Sequence, residues 1–160
     1  MTIKVGDKLP EGSLVEMTAD GPAAHTIDDL FGGKKVVLFA LPGAFTPTCS
    51  AKHLPGFIEK STEIKAKGVD AIYCMSVNDA FVMGAWAKDQ NSGDAVTLLA
   101  DGNGDFTKAI DLVLDGTGFG MGLRSQRFSM IVEDGTVTVL NVEAGGDFSV
   151  STAEHALSQL

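Results

Sequence analysis

Cys49 closes the segment Pro42-Gly43-Ala44-Phe45-Thr46-Pro47-Thr48-Cys49, and its surroundings are those of a reactive thiol. Thr46 fits the N-cap of a helix and Pro47 its first position, where the missing N–H is not needed. Cys49 then lies in the first helical turn. Unpaired backbone N–H groups and the positive end of the helix dipole stabilise anions there, which favours a thiolate and makes Cys49 a candidate nucleophile. The competing reading is a small apolar residue at a buried helix start, as free cysteines usually are. Against it, a loop leaving the C-terminal end of a central strand is where α/β folds place their binding sites. This loop carries two prolines, a glycine and two threonines.

A thiolate that attacks an O–O bond needs donors to stabilise the charge developing on the departing oxygen, and a fixed arginine does this well. The chain has only two arginines, Arg124 and Arg127, both within Gly120-Met121-Gly122-Leu123-Arg124-Ser125-Gln126-Arg127-Phe128. Residue types alone do not choose between them, and arginines are more often solvated surface charges. Cys74 is the only other thiol, and its place beside Ile72 and Met75 reads as an inert core cysteine. Two cysteines this far apart make neither a Cys-x-x-Cys pair nor a four-ligand zinc site, and no metal site is expected. His53 follows Cys49 by four residues, on the same helical face, which invites a Cys-His nucleophile-base reading.

The elements that must position these groups follow from periodicity. Residues 34–41 and 69–77 are short apolar runs rich in β-branched residues and read as buried central strands. Between them Leu54, Phe57, Ile58, Ser61, Ile64 and Lys65 fall at helical spacing, with Gly68 placed for a left-handed cap. Residues 79–90 carry Phe81, Val82, Ala85 and Trp86 on one expected stripe, 96–99 read as a strand and 106–112 as a helix. Residues 128–132 and 136–142 flank Glu133-Asp134-Gly135, a hairpin signal, and Ser151-Thr152-Ala153-Glu154 has the form of a capping box. The alternation predicts a mixed sheet with helices on both faces, compatible with a thioredoxin-like core.

At 160 residues, 44% of them hydrophobic, and without a linker or repeat, the chain reads as one domain over 1–160. A net charge of −9 argues against nucleic-acid binding. No apolar stretch approaches a membrane span and the N-terminus lacks a signal-peptide pattern, so a cytoplasmic location is expected. A structural disulfide is not expected there.

Pro42-x-x-x-Thr46-x-x-Cys49 resembles the peroxiredoxin active-site motif. With the following Ser50 and His53-Leu54-Pro55-Gly56-Phe57, the segment resembles the type-five (type II) branch. Likeness extends through Ser76-Val77-Asn78-Asp79-Ala80-Phe81-Val82-Met83, Gly118-Phe119-Gly120-Met121-Gly122 and Arg127-Phe128-Ser129-Met130. The resemblance implies an α/β thioredoxin-like fold and a peroxidase that reduces hydrogen peroxide and organic hydroperoxides. By it Cys49 is the peroxidatic cysteine, Thr46 and Arg127 bind thiolate and peroxide, Pro42 shields the site, and Arg124 stands behind. Gly43, Thr48 and Phe119 are further substrate-binding candidates, Phe119 as an apolar wall. Family behaviour also implies that His53 makes structural hydrogen bonds rather than acting as a base.

Relatives with an intramolecular resolving cysteine carry it near the C-terminus, and Phe148-Ser149-Val150-Ser151-Thr152 has none. Cys74 is then a minor resolving candidate, and glutathione with glutaredoxin, or thioredoxin, is the expected external reductant, with no bound cofactor. A homodimer is implied by the same branch. Two other functions compete: a non-enzymatic peroxide sensor or chaperone using the same thiol, and a thiol-disulfide oxidoreductase, which would ordinarily carry Cys-x-x-Cys.

Overall fold

The computed structural model describes residues 1–160. Its elements are β1 (Ser13–Thr18), β2 (Gly21–Thr26), α1 (Ile27–Phe31), β3 (Lys35–Ala40), α2 (Leu54–Lys65), β4 (Ala71–Ser76) and α3 (Ala80–Gln90), followed by β5 (Thr97–Ala100), α4 (Asp105–Ala109), β6 (Val113–Asp115), β7 (Leu123–Ser125), β8 (Phe128–Glu133), β9 (Thr136–Val142) and α5 (Ala153–Ser158). Seven strands form one sheet in the order β2-β1-β5-β4-β3-β8-β9. The three central strands, β5, β4 and β3, are parallel, and an antiparallel hairpin extends the sheet at each end.

Alternation along β3 divides the core in two, as a period-2 strand buried on both faces must. Val37 and Phe39 point into a cluster with Leu54 and Phe57 of α2, Trp86 of α3 and Ala153 of α5. Val36, Leu38 and Ala40 point into the opposite cluster, closed by Leu30 and Phe31 of α1 and Phe106 of α4. The mixed sheet with helices on both faces is therefore the one the sequence predicts.

Several local readings need correction. The β1–β2 hairpin was not legible as strands. The buried face of α3 is Ala80, Met83 and Trp86, while Phe81, expected on the inner stripe, is 69% exposed. Helix α4 ends at Ala109, short of the expected 112, because Asp111 adopts a left-handed φ of 59°. The cap of α5 is Thr152, whose side chain accepts from the His155 N–H; with His155 rather than Glu154 at the third helical position the expected capping box does not form, and Ser151 is used elsewhere. The β8–β9 turn is as expected: Asp134 and Gly135 have φ of 47° and 76°, the left-handed pair of a type I′ turn.

At the C-terminal edge of the parallel strands, the Asp101 N–H reaches the Ser76 carbonyl, joining the ends of β5 and β4. The Asp101 carboxylate, 4% exposed, accepts from the Phe106 N–H, the Thr107 N–H and the Thr107 hydroxyl, and so opens α4. Asp101→Ala strands these donors and should cost about 3 kcal/mol in urea unfolding, above an ordinary cap loss of ~1 kcal/mol.

Candidate functional site

The site forms where β3 ends and the chain turns through Pro42 toward α2. Thr46 opens the helical stretch by backbone, since its carbonyl accepts the Ser50 N–H at 3.0 Å. Its hydroxyl does not cap the helix; it donates to the Gly43 carbonyl at 2.7 Å and closes the turn. Gly43 packs closely under Arg124: a Cβ there would lie 2.8 Å from Nη1, and the guanidinium would have to shift from the Pro42 carbonyl to admit it. Asn78, after β4, accepts the Ala44 N–H at 3.0 Å, and Phe45 takes a left-handed φ of 62°. Cys49–His53 form a π-helical turn before α2, in which the Leu54 N–H reaches the Cys49 carbonyl. Single π turns inside α-helices recur at functional sites.

Cys49 is 1% exposed, and Arg127 Nη2 donates to its Sγ at 3.1 Å. The guanidinium's other terminal nitrogen, Nη1, lies 2.7 Å from His53 Nδ1, and His53 Nε2 lies 2.9 Å from the Ser151 carbonyl. A carbonyl only accepts, so Nε2 carries the hydrogen and Nδ1 offers its lone pair to Arg127. Burial first, and the Arg127 charge second, push the imidazole down from 6.5 to about 3. His53 is thus neutral and cannot take the Cys49 proton while it holds Arg127. The Phe148 ring lies 5.7 Å from the guanidinium carbon, a cation–π contact.

Other candidates sit at graded distance. Arg124 donates from Nε to the Met121 carbonyl and from Nη1 to the Pro42 carbonyl at 3.3 Å, tying the 116–122 loop to the turn before Cys49. Thr48 lies half-buried next to Cys49 with no side-chain capping bond. Phe119 is 87% exposed, on the turn Thr117–Phe119. Cys74 is fully buried on β4 between Phe39 and Leu98, and burial pushes its thiol well up. Trp86, whose indole N–H donates to Ser50 Oγ at 3.0 Å, and Asn78 were not found as site residues by sequence. Their signal was only a polar residue just past the end of β4 and an aromatic residue in the middle of α3.

Below 6.5 the unfolded chain protonates His53, and the folded chain refuses that proton until about pH 3. Stability should therefore fall as pH drops through this window, by at most ~1.4 kcal/mol per pH unit from this group. Urea unfolding at pH 7 and pH 4 should show the native chain losing up to about 3 kcal/mol more than His53→Gln.

The sequence model of the family described as Redoxin matches residues 4–157. The chain is 54% identical, over 99% of its length and 73% of the relative's, to Peroxiredoxin-2E-2, chloroplastic, of Oryza sativa subsp. japonica. It is 50% identical to Peroxiredoxin-2B of Arabidopsis thaliana, covering 99% of this chain and 98% of that one. The solved structure of reduced Prx3 from Vibrio vulnificus in complex with hydrogen peroxide is similar with a TM-score of 0.95 and 54% identity, over 99% of each chain.

Proposed function

We propose how this chain, which belongs to the redoxin family and within it to the peroxiredoxins, carries out its thiol peroxidase chemistry. Membership makes the fold thioredoxin-like and the general activity peroxidation by a thiol. The observation that carries the assignment of roles is the 3.1 Å bond from Arg127 Nη2 to Cys49 Sγ.

In this reading the Cys49 thiolate attacks the terminal oxygen of hydrogen peroxide or an organic hydroperoxide. The S–O bond forms, the O–O bond breaks with its electron pair on the departing oxygen, and solvent supplies the proton that completes water or an alcohol. Cys49 becomes a sulfenic acid. Arg127 offers N–H groups and positive charge to the thiolate and to the departing oxygen, worth about 10²–10³ in rate if it behaves as a fixed oxyanion donor. Thr46 spends its hydroxyl hydrogen on Gly43, so its lone pairs are left to accept the O–H of the peroxide. Pro42, held through its carbonyl by Arg124, shields the thiol.

Glutathione with glutaredoxin is the proposed reductant, with thioredoxin the second choice. The sulfenic acid and a first thiol give water and a mixed disulfide, and a second thiol restores Cys49. Support comes from the burial of Cys74 in the core and from the absence of a cysteine in 148–152. The type-five (type II) branch is favoured by relatives named Peroxiredoxin-2E-2 and -2B. A reducing compartment such as the cytoplasm suits two free thiols. The individually exposed Phe45, Phe81 and Phe119 are apolar side chains of the kind a homodimer interface would take out of water.

Peroxide consumption with each reductant system, on native chain, Cys49→Ser, Cys74→Ser and Arg127→Ala, tests the cycle. Cys49→Ser should abolish turnover, Cys74→Ser should keep it, and Arg127→Ala should lower the oxidation rate about 10²-fold or more. Loss in Cys74→Ser would make Cys74 the resolving thiol. A native chain oxidised once but never recycled would favour a peroxide sensor.

A further inference from the structure

Residues 144–152 run from the end of β9 to the start of α5, and one carboxylate holds them against the site. Glu143, 8% exposed, accepts on Oε2 the Ser149 N–H at 2.8 Å, the Ser151 N–H at 2.8 Å and the Ser151 hydroxyl at 2.6 Å. Its own N–H donates to the Arg127 carbonyl at 3.0 Å. Burial works against the charge, but the bonds from Ser151 and Ser149 outweigh it and hold the carboxyl below its ordinary value. Two groups of this strap meet the site. The Ser151 carbonyl receives His53 Nε2–H, and the Phe148 ring lies 5.0 Å from the His53 ring and 5.7 Å from the Arg127 guanidinium carbon.

We propose that Glu143 is a positioning residue for peroxide reduction: by fixing the Ser151 carbonyl it fixes the tautomer of His53, and through His53 the Arg127 guanidinium that faces Cys49. The inference rests on the peroxidase reading of Cys49 and Arg127. Its physical content is a choice of tautomer. An imidazole released from Ser151 loses the acceptor for its Nε2–H and is held in its tautomer by the Arg127 donor alone; in the competing Nδ1–H form a donor would face a donor at Arg127 Nη1. The guanidinium would lose its backing and turn away from the thiol, and a misplacement of about 1 Å costs up to about 10²-fold in rate.

The test uses the full chain as native, Glu143→Ala and Glu143→Gln. Single-turnover oxidation by hydrogen peroxide is followed by the fluorescence of Trp86, the one tryptophan. Alkylation of Cys49 by iodoacetamide and the ¹⁵N signals of the His53 ring are measured beside it. Glu143→Ala should be oxidised about tenfold more slowly, with alkylation of Cys49 slowed as well because the guanidinium that supports its thiolate has turned away, and with Nδ1–H tautomer appearing at His53. Glu143→Gln, whose amide oxygen still accepts both N–H groups, should fall about threefold. If Glu143→Ala does not fold, Glu143→Gln decides alone. A native oxidation rate in the folded variants, or a fall with the His53 tautomer unchanged, overturns the proposal. Failure of the native chain to react at all would instead overturn the peroxidase reading, while the His53 signals still report whether Glu143 sets the tautomer.

Discussion

The arrangement around Cys49 depends on a single guanidinium shared between a sulfur and an imidazole. A planar fork can direct one terminal nitrogen at Cys49 Sγ and the other at His53 Nδ1 because their separation is fixed by the group itself. A lysine at position 127 would be one point charge on a flexible stem, able to satisfy either partner but not to hold a fixed angle between them. The cost of keeping a charge half-buried is offset by bonds to its nitrogens, by the Phe148 face beside it, and by the Glu143 N–H on its own backbone carbonyl.

The sheet acts as the ruler for this geometry. In the antiparallel pairing of β3 with β8, Ala40 lies opposite Phe128, so the turn through Pro42 and the residue before Phe128 emerge at the same edge. Alternation along β8 sends Ile131 into the α2 face of the sheet and Phe128 and Met130 into the other. Arg127, two positions before Ser129 and four before Ile131, shares the α2 face with Cys49. A one-residue slip of β8 would carry Arg127 to the wrong side. Burial of Phe128, Met130 and Val132 on one face and Ile131 on the other prevents that slip, so core packing far from the thiol sets the position of its partner.

Local chemistry was legible where a residue's neighbours in sequence are also its neighbours in space. The Thr46-Pro47 helix start, the apolar runs of β3 and β4, Gly68 and the Asp134-Gly135 turn belong to that class. The β1–β2 hairpin was not, because Pro22, Ala23, Ala24 and His25 have little β propensity, and pairing with β1 over six residue pairs overrides it. Phe81 was misplaced because helical spacing admits more than one apolar stripe, and the face of α3 is chosen by β1 and β5, against which it packs. Ser151 fits a capping box locally, but Glu143 claims its hydroxyl across eight residues and leaves the cap to Thr152. Nothing in the sequence near His53 announces Ser151, 98 residues away, as its partner.

The choice of a neutral imidazole behind Arg127 has a physical reason. A carboxylate in that place would bond the guanidinium more strongly, but its negative charge would cancel the field that Cys49 experiences and would repel a thiolate a few ångströms away. A neutral acceptor fixes the same geometry and leaves the positive charge for the sulfur and, in the proposed mechanism, for the departing oxygen. The acceptor must then stay neutral in contact with a cation, and the same burial and the same Arg127 charge that need it neutral push its proton affinity down. The carboxylate that the site does contain, Glu143, is set behind Ser151, where it orders the strap through hydrogen bonds and reaches the guanidinium only through intermediaries. Separating the group that orients from the group that carries charge lets one arginine serve a buried thiolate without being neutralised by its own support.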